Sequence, residues 1–492
     1  MSNLNRRKFL KLLGQGTAAL GMGLSGRAWA QSRSTQAQKV SNNEWEIFYP
    51  GKYEEWEAKQ LKKIQASIDQ INNFGDLNVM DLVSDKLQGK PGVGNRETKV
   101  TLDNMMTFSN EFLFNRNALF YDREYAKKSK YGDLIAFPLI LGLGAFPDQV
   151  REGFDNILGM SHTNIINFYK PLYEGDTLFT HIYEQNISDI TPTGGRKHRS
   201  YTYSGSARTY NQKGQLVAEG AQLIYNSLRR HKDPAKRNKD GQPERELRGY
   251  WTRKPHIYTD KDWEYVTGLW KSEKVRGAEV RYWDDVNIGD ELNPTASIPL
   301  MQDEISEALF NVPQWCTDIR KNMLDPKTFA KMLKNKQGIY VMPENLEKHP
   351  KSAPRIPSEQ DERAGIQNTV LAKFAASMLF NWMGDEGWLQ RMGWVIVPRP
   401  HYYDYEETPE VPKRVMPALF DKYPFLDNVP YMKGCNAIWH ALENDLVIIR
   451  AYVFDKYEKD GEYFVDLGWW CQTLDKYLVQ SGYAAVKLPK KI

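Results

Sequence analysis

Residues 367–383 constrain the fold more than any other stretch. Val370, Leu371, Phe374, Ala375, Met378, Leu379 and Trp382 share one helical face at i, i+4 spacing, and Gly384 supplies a C-terminal stop. A helix this apolar has to be covered by other structure. The residues that follow offer the cover, because they alternate as strands at 387–397, 437–452, 463–472 and 483–488, with the hairpin signal Lys459-Asp460-Gly461 between the second and third.

The same plan occurs earlier in the chain. A segment of helical character at 115–128 and the apolar run 134–141 precede strands at 164–168, 176–187, 197–210 and 215–227. The turns Thr193-Gly194-Gly195 and Asn211-Gln212-Lys213-Gly214 make the last three an antiparallel meander. An apolar helix followed by a curled antiparallel meander, occurring twice, is the pattern of a double hotdog in the α+β class. The expected organisation is a signal segment at 1–30, a helical arm at 31–97, a first domain at 98–228, a linker at 229–280 and a second domain at 281–492 carrying an insertion at 317–363. Within the arm, Trp56, Leu61, Ile64, Ile68 and Ile71 predict a helix over 53–71.

Of 66 Lys and Arg, five lie in residues 1–30 together with none of the 62 Asp and Glu, which leaves 61 bases against 62 acids in the rest. The body of the chain is therefore almost neutral and lacks the clustered positive charge of a nucleic-acid footprint. Four of the five bases lie in Asn5-Arg6-Arg7-Lys8-Phe9-Leu10-Lys11, followed by a Gly- and Ala-rich apolar stretch, and the fifth, Arg27, precedes Ala28-Trp29-Ala30. Paired arginine, a weak apolar core and a small-x-small end are the parts of a twin-arginine signal, so the expected location is the periplasm. No window approaches the ~20 apolar residues of a membrane-spanning helix.

Three cysteines, Cys316, Cys435 and Cys471, have no metal-ligand spacing, and all three are expected to be buried and free. Neither a metal nor a cofactor is expected. Serine-hydrolase, zinc-peptidase, phosphate-loop and dinucleotide fingerprints are all missing from the sequence.

Four stretches carry a more specific signal. They are Asn117 with Asp122-Arg123-Glu124-Tyr125-Ala126 and Tyr131–Ala136; His162 with Phe168–Leu172 and Gly175–Leu178; Val275–Glu279 with Arg281–Val286 and Gly289–Leu292; and Asn381–Leu389 with the terminal Gly482–Pro489. In order and spacing they resemble the MaoC-like acyl dehydratase and R-specific enoyl-CoA hydratase family of double-hotdog proteins. The resemblance implies a hydro-lyase that adds or removes water next to an acyl carbonyl. It also implies an Asp/His dyad, with backbone N–H groups at the start of the buried helix holding the enolate oxygen.

The dyad does not carry over. Alignment on Asp122 puts Asn115 at the family aspartate and Phe120 at the family histidine, and the corresponding stretch of the second half, 311–318, has no histidine. The catalytic candidates are therefore His162, Asp122, Asn115 and His401, the last inside the aromatic stretch 398–405. Arg363 and Asn368 stand at the helix start, where anions bind, and Trp382 suits a flat or hydrophobic ligand; these three are the ligand-binding candidates.

Export separates the chain from cytoplasmic coenzyme A thioesters. The expected substrate is an unsaturated or hydroxylated carbonyl compound not carried as a free thioester. The alternative is a non-catalytic periplasmic ligand-binding or assembly protein on the same scaffold. Expected partners are a small carbonyl or aromatic ligand and a second copy or co-exported protein, with no nucleic acid.

Overall fold

The computed structural model describes residues 47–93, 98–106, 109, 115–140, 158–191, 193–195, 198–229, 254–300, 319–343, 366, 368–395, 437–438 and 441–491. The chain is α+β. Its strands in chain order are β1 (Thr98–Lys99), β2 (Leu158–Phe168), β3 (Thr177–Asp189), β4 (His198–Asn211), β5 (Leu216–Arg229), β6 (Thr295–Ala296), β7 (Leu333–Lys334), β8 (Tyr340–Val341), β9 (Trp388–Val395), β10 (Ala437–Ile438), β11 (Val447–Lys459), β12 (Glu462–Thr473) and β13 (Tyr477–Leu488). They distribute over two units, one of residues 1–98, 143–166 and 178–249 and the other of 99–142, 167–177 and 250–492. Residues 99–142 and 167–177, expected in the first domain, thus group with the second unit.

In the first unit the strand order is β3-β4-β5-β2, with β3–β4 and β4–β5 antiparallel. The isoleucine spacing read from sequence becomes the helix Glu55–Asn72, which buries Ile64 and Ile68 against Tyr201, Tyr203 and Ile224. Ile71 continues the contact onto Ile182 and Ala207. The arm ahead of this helix is locked by a buried cation. The guanidinium of Arg199 lies between the rings of Phe48 (5.1 Å) and Tyr53 (4.9 Å), and its Nε donates to Glu57 Oε1 at 2.8 Å. Its terminal nitrogens reach the carbonyls of Tyr49 and Lys52, and Tyr201 donates its hydroxyl to Glu57 at 2.6 Å.

In the second unit β9-β13-β12-β11-β6 form an antiparallel sheet, and β10 adds to β13 in parallel. The helix Asn368–Met383 packs on β9, β11, β12 and β13. It is buried all round from Thr369 to Asn381, not on a single face, because the sheet and the loops together enclose it. Three sequence expectations are corrected here. The strand expected at 437–452 breaks into β10 and β11, because Asn444 turns the chain with φ +68° and the Asp445 carboxylate accepts from Leu442 N at 2.7 Å. The helical segment expected at 115–128 is a 3-10 turn, Ala118–Phe120, followed by the short helix Arg123–Ala126.

The third concerns residues 229–280, expected as a linker. They contain the helix Asp260–Ser272, opened by a capping box between Thr259 and Asp262 and burying Trp263, Val266 and Trp270. His256 ties the start of this helix to the β12–β13 turn through Asp262 (3.2 Å) and Asp475 (2.5 Å). Of the cysteines, Cys471 is buried and free; Cys316 and Cys435 lie outside the described residues, as does the signal segment 1–30.

Candidate functional site

The C-terminal half of the buried helix lines a cavity of about 540 Å³ in the second unit. Phe374, Ser377, Met378, Asn381 and Trp382 face it, a spacing of three, one, three and one that keeps all five on one side of a 3.6-residue helix. The opposite wall is the chain from Glu273 to Arg281, hung from the helix end by its backbone. Arg276 N donates to Asn381 O at 3.0 Å, and Asp385 N donates to Gly277 O at 2.9 Å. These bonds satisfy groups that a helix terminus otherwise leaves open. Gly384 permits the approach: its φ is +73°, and a Cβ there would stand 3.0 Å from Glu279 O and 3.1 Å from the Arg276 side chain.

Three arginines line this space, and they are not equivalent. Arg276 pairs with Glu279 at 2.6 Å, and Arg320 pairs with Glu273, whose other oxygen accepts from Thr295. Arg281 stacks 4.5 Å over the Trp382 ring and donates its Nε to Trp382 O at 2.8 Å, yet it makes no ion pair among the described residues. Burial, then the nearby Arg276 charge, pushes it down to about 10. Beside it, the buried Asn381 has an Oδ1 with no hydrogen-bond partner among the described residues. Asp290, Glu279 and Asp285 act on Arg281 electrostatically, but none is paired with it, so a half-buried guanidinium without an ion pair among the described residues stands in the same cavity as an unsatisfied amide oxygen.

A second cluster braces the helix end. Asp385 accepts from Asn117 Nδ2 at 3.1 Å and from the Tyr125 hydroxyl at 2.6 Å. Burial and then Asp385 push the Tyr125 phenol up to about 12, so it stays a donor. Asn115 donates its Nδ2 to Ser377 Oγ at 2.9 Å and accepts from Asn117 N at 2.8 Å.

Of the residues expected from sequence, Trp382 lines the cavity and Asn115 reaches it through Ser377. Asp122 is exposed and caps the helix Arg123–Ala126 by accepting from Tyr125 N at 3.0 Å. His162 lies on β2 and Asn368 opens the buried helix; nothing is described of either side chain. Arg363 and His401 lie outside the described residues. Arg276, Arg281, Glu273, Arg320 and Asn381 were not singled out as site residues. Arg276, Arg281 and Asn381 nonetheless fall inside two of the four stretches that carry the family resemblance, and that was the signal available. A further titratable group, Lys373, sits wholly buried in the same helix, and desolvation pushes its ammonium down to about 7. Among the described residues no group of three His, Cys, Asp or Glu could hold a metal ion, and no helix is long and apolar enough to cross a membrane.

No family model matches the chain. Among curated proteins it is 29% identical over 127 residues to the uncharacterized protein YdeM of Bacillus subtilis (strain 168), across 25% of this chain and 84% of that one. Among solved structures it is similar to a MaoC-like dehydratase at 11% identity and a TM-score of 0.43, covering 81% of this chain and 97% of that one. It is likewise similar to Rv0216 of Mycobacterium tuberculosis, described as having a double hotdog fold, at 10% identity and a TM-score of 0.41, with 83% and 98% covered.

Proposed function

We propose that the protein is an exported hydro-lyase of the MaoC-like dehydratase type on a double-hotdog scaffold. Its substrate is an unsaturated or hydroxylated carbonyl compound bound in the cavity of the second unit, not a free coenzyme A thioester. The observation that carries the reading is Arg281, held on Trp382 without an ion pair among the described residues and lining, with Asn381, a space of about 540 Å³. In such a reaction the Cα–H and Cβ–O bonds break and the C=C bond forms. A base takes the Cα proton, negative charge grows on the carbonyl oxygen, and a general acid, the same group or a second one, gives a proton to the departing hydroxyl, which leaves as water. A guanidinium held in place before the reaction stabilises that charge without reorganising. Glu273 and Glu279 are the lining carboxylates closest to the arginines, each already bonded to one.

One observation favours the second reading, a ligand-binding protein without turnover: no histidine is among the described residues that line the cavity. A mass-spectrometric screen of the purified mature protein against hydroxylated and unsaturated acids and ketones separates the two. Formation or consumption of the unsaturated member supports the hydro-lyase, whereas thermal-shift hits without conversion support the binding protein. Export rests on Asn5–Lys11 and Ala28–Ala30. Replacing both Arg6 and Arg7 by Lys is expected to hold the protein in the cytoplasmic fraction, and unchanged periplasmic recovery would remove export from the proposal.

A further inference from the structure

We infer that Arg281 and Asn381 form a carboxylate-recognition subsite, so that the ligand of the cavity is a small free hydroxy acid and neither an ester nor a thioester. The inference deepens the proposed function and rests on the cavity being the place where substrate binds. Its first support is the inequality of the three arginines. Arg276 and Arg320 have carboxylates, whereas Arg281 has only a backbone carbonyl on Nε, which leaves its two terminal nitrogens without a carboxylate among the described residues. A guanidinium fork matches a carboxylate in two parallel hydrogen bonds, and a neutral ester oxygen offers no charge to balance it.

The second support is rigidity. The plane of Arg281 is set by the Trp382 ring and by the carbonyl of the same residue, so little side-chain freedom is lost when an anion docks. The third is the neighbouring amide. Asn381 precedes Trp382 on the same helical face, and its buried Oδ1 accepts no hydrogen bond among the described residues. A ligand hydroxyl is a donor that this oxygen can take, while Phe374, Met378 and Leu292 offer apolar lining for the carbon skeleton. Arg276 repels Arg281 while Asp290, Glu279 and Asp285 attract it without pairing with it, so the terminal nitrogens of Arg281 stay available to a ligand carboxylate.

The test uses the full mature protein and eight probes: crotonate, 3-hydroxybutyrate, cinnamate and 3-hydroxy-3-phenylpropanoate, each as the free acid and as its methyl ester. Isothermal titration is expected to give at least one acid bound about tenfold or more tighter than its ester, and Arg281→Gln is expected to abolish that preference. Arg281→Lys, which keeps the charge but not the fork, is expected to retain part of it. If no acid is preferred over its ester, the subsite is refuted, and the same holds if folded Arg281→Gln keeps the preference. Should Arg281→Gln not fold, the acid–ester comparison on the unaltered protein decides alone. The two readings fail separately: acid preference without any conversion leaves the subsite and removes the hydro-lyase, whereas equal conversion of acids and esters removes the subsite and leaves the hydro-lyase.

Discussion

Lys373→Met should stabilise the second unit, and the gain should depend on pH in a way that only a buried amine produces. Lys373 is wholly enclosed within the buried helix, and desolvation lowers its value from 10.5 to about 7. Because the folded state releases this proton more readily than the unfolded chain, the unfolded chain binds more protons between those two values, and stability rises with pH across that window. The full penalty applies below the folded value and amounts to about 5 kcal/mol at 1.36 kcal/mol per pKa unit. By about pH 10 the unfolded lysine is itself losing its proton, and roughly 1 kcal/mol remains. Methionine matches the lysine stem in length and carries no charge, so the variant lacks this pH dependence.

Urea unfolding followed by tryptophan fluorescence, on the unaltered and Lys373→Met proteins in parallel, should give a stability gap that closes by about 4 kcal/mol between about pH 6 and pH 10. A gap that stays constant over that interval would refute the assignment of a depressed ammonium. A variant less stable at every pH would show that the contacts of the lysine outweigh its desolvation.

Two further outcomes are expected. Replacing Arg199 by Met should cost the first unit about 3–5 kcal/mol, because it leaves the buried carboxylates of Glu57 and Asp189 without their cation, whereas Glu57→Gln should cost less, because Arg199 keeps Asp189 at 3.4 Å. The double replacement should cost clearly less than the sum, and strict additivity in the denaturant midpoints would mean that the pair does not act as a unit. His256 is also pH-linked. Burial alone opposes its protonation, but the bonds and charges of Asp475 and Asp262 outweigh burial and raise its value above 6.5. Its contribution is thus complete below 6.5 and is lost as pH rises through the folded value, so His256→Gln should flatten that part of the stability profile in a thermal-melt series.

Much of the secondary structure was legible because it depends on period. The isoleucines of the helix Glu55–Asn72 and the turn Asn211–Gly214 both stand where their spacing and turn chemistry put them. The helix Asp260–Ser272 was missed although Thr259, Asp262 and the Trp263, Val266, Trp270 spacing spell a capped amphipathic helix; the charged run 229–248 before it drew the whole region into a linker. The break in the strand at 437–452 had its signal in Asn444-Asp445, read over because the flanking residues are apolar. The site was less legible for a different reason. Trp382 stands out in a sequence as a large ring, but an arginine becomes informative only when the carboxylates around it have been assigned to its neighbours. Glu279 is an i,i+3 neighbour of Arg276, but the assignment of Glu273 to Arg320, 47 positions away, is a property of three-dimensional placement that no spacing encodes.

The clamp on Arg199 sets an order of events during synthesis. Glu57 and Arg199 are separated by 142 positions, so the segment of the first unit made earliest waits on one of the strands made last. Contacts of such long separation form late, after the loop-closure entropy has been met by other pairings. Until β4 has emerged, the glutamate and the faces of Phe48 and Tyr53 have no cation to enclose, and the arm remains an open end. Docking of the arm is therefore a readout of completion: a nascent or misassembled first unit leaves residues 47–57 free to unfold into a protease site, whereas in a finished one Arg199 holds the carbonyls of Tyr49 and Lys52 and the carboxylate of Glu57. Limited proteolysis of nascent chains stalled before and after residue 199 would expose that transition directly.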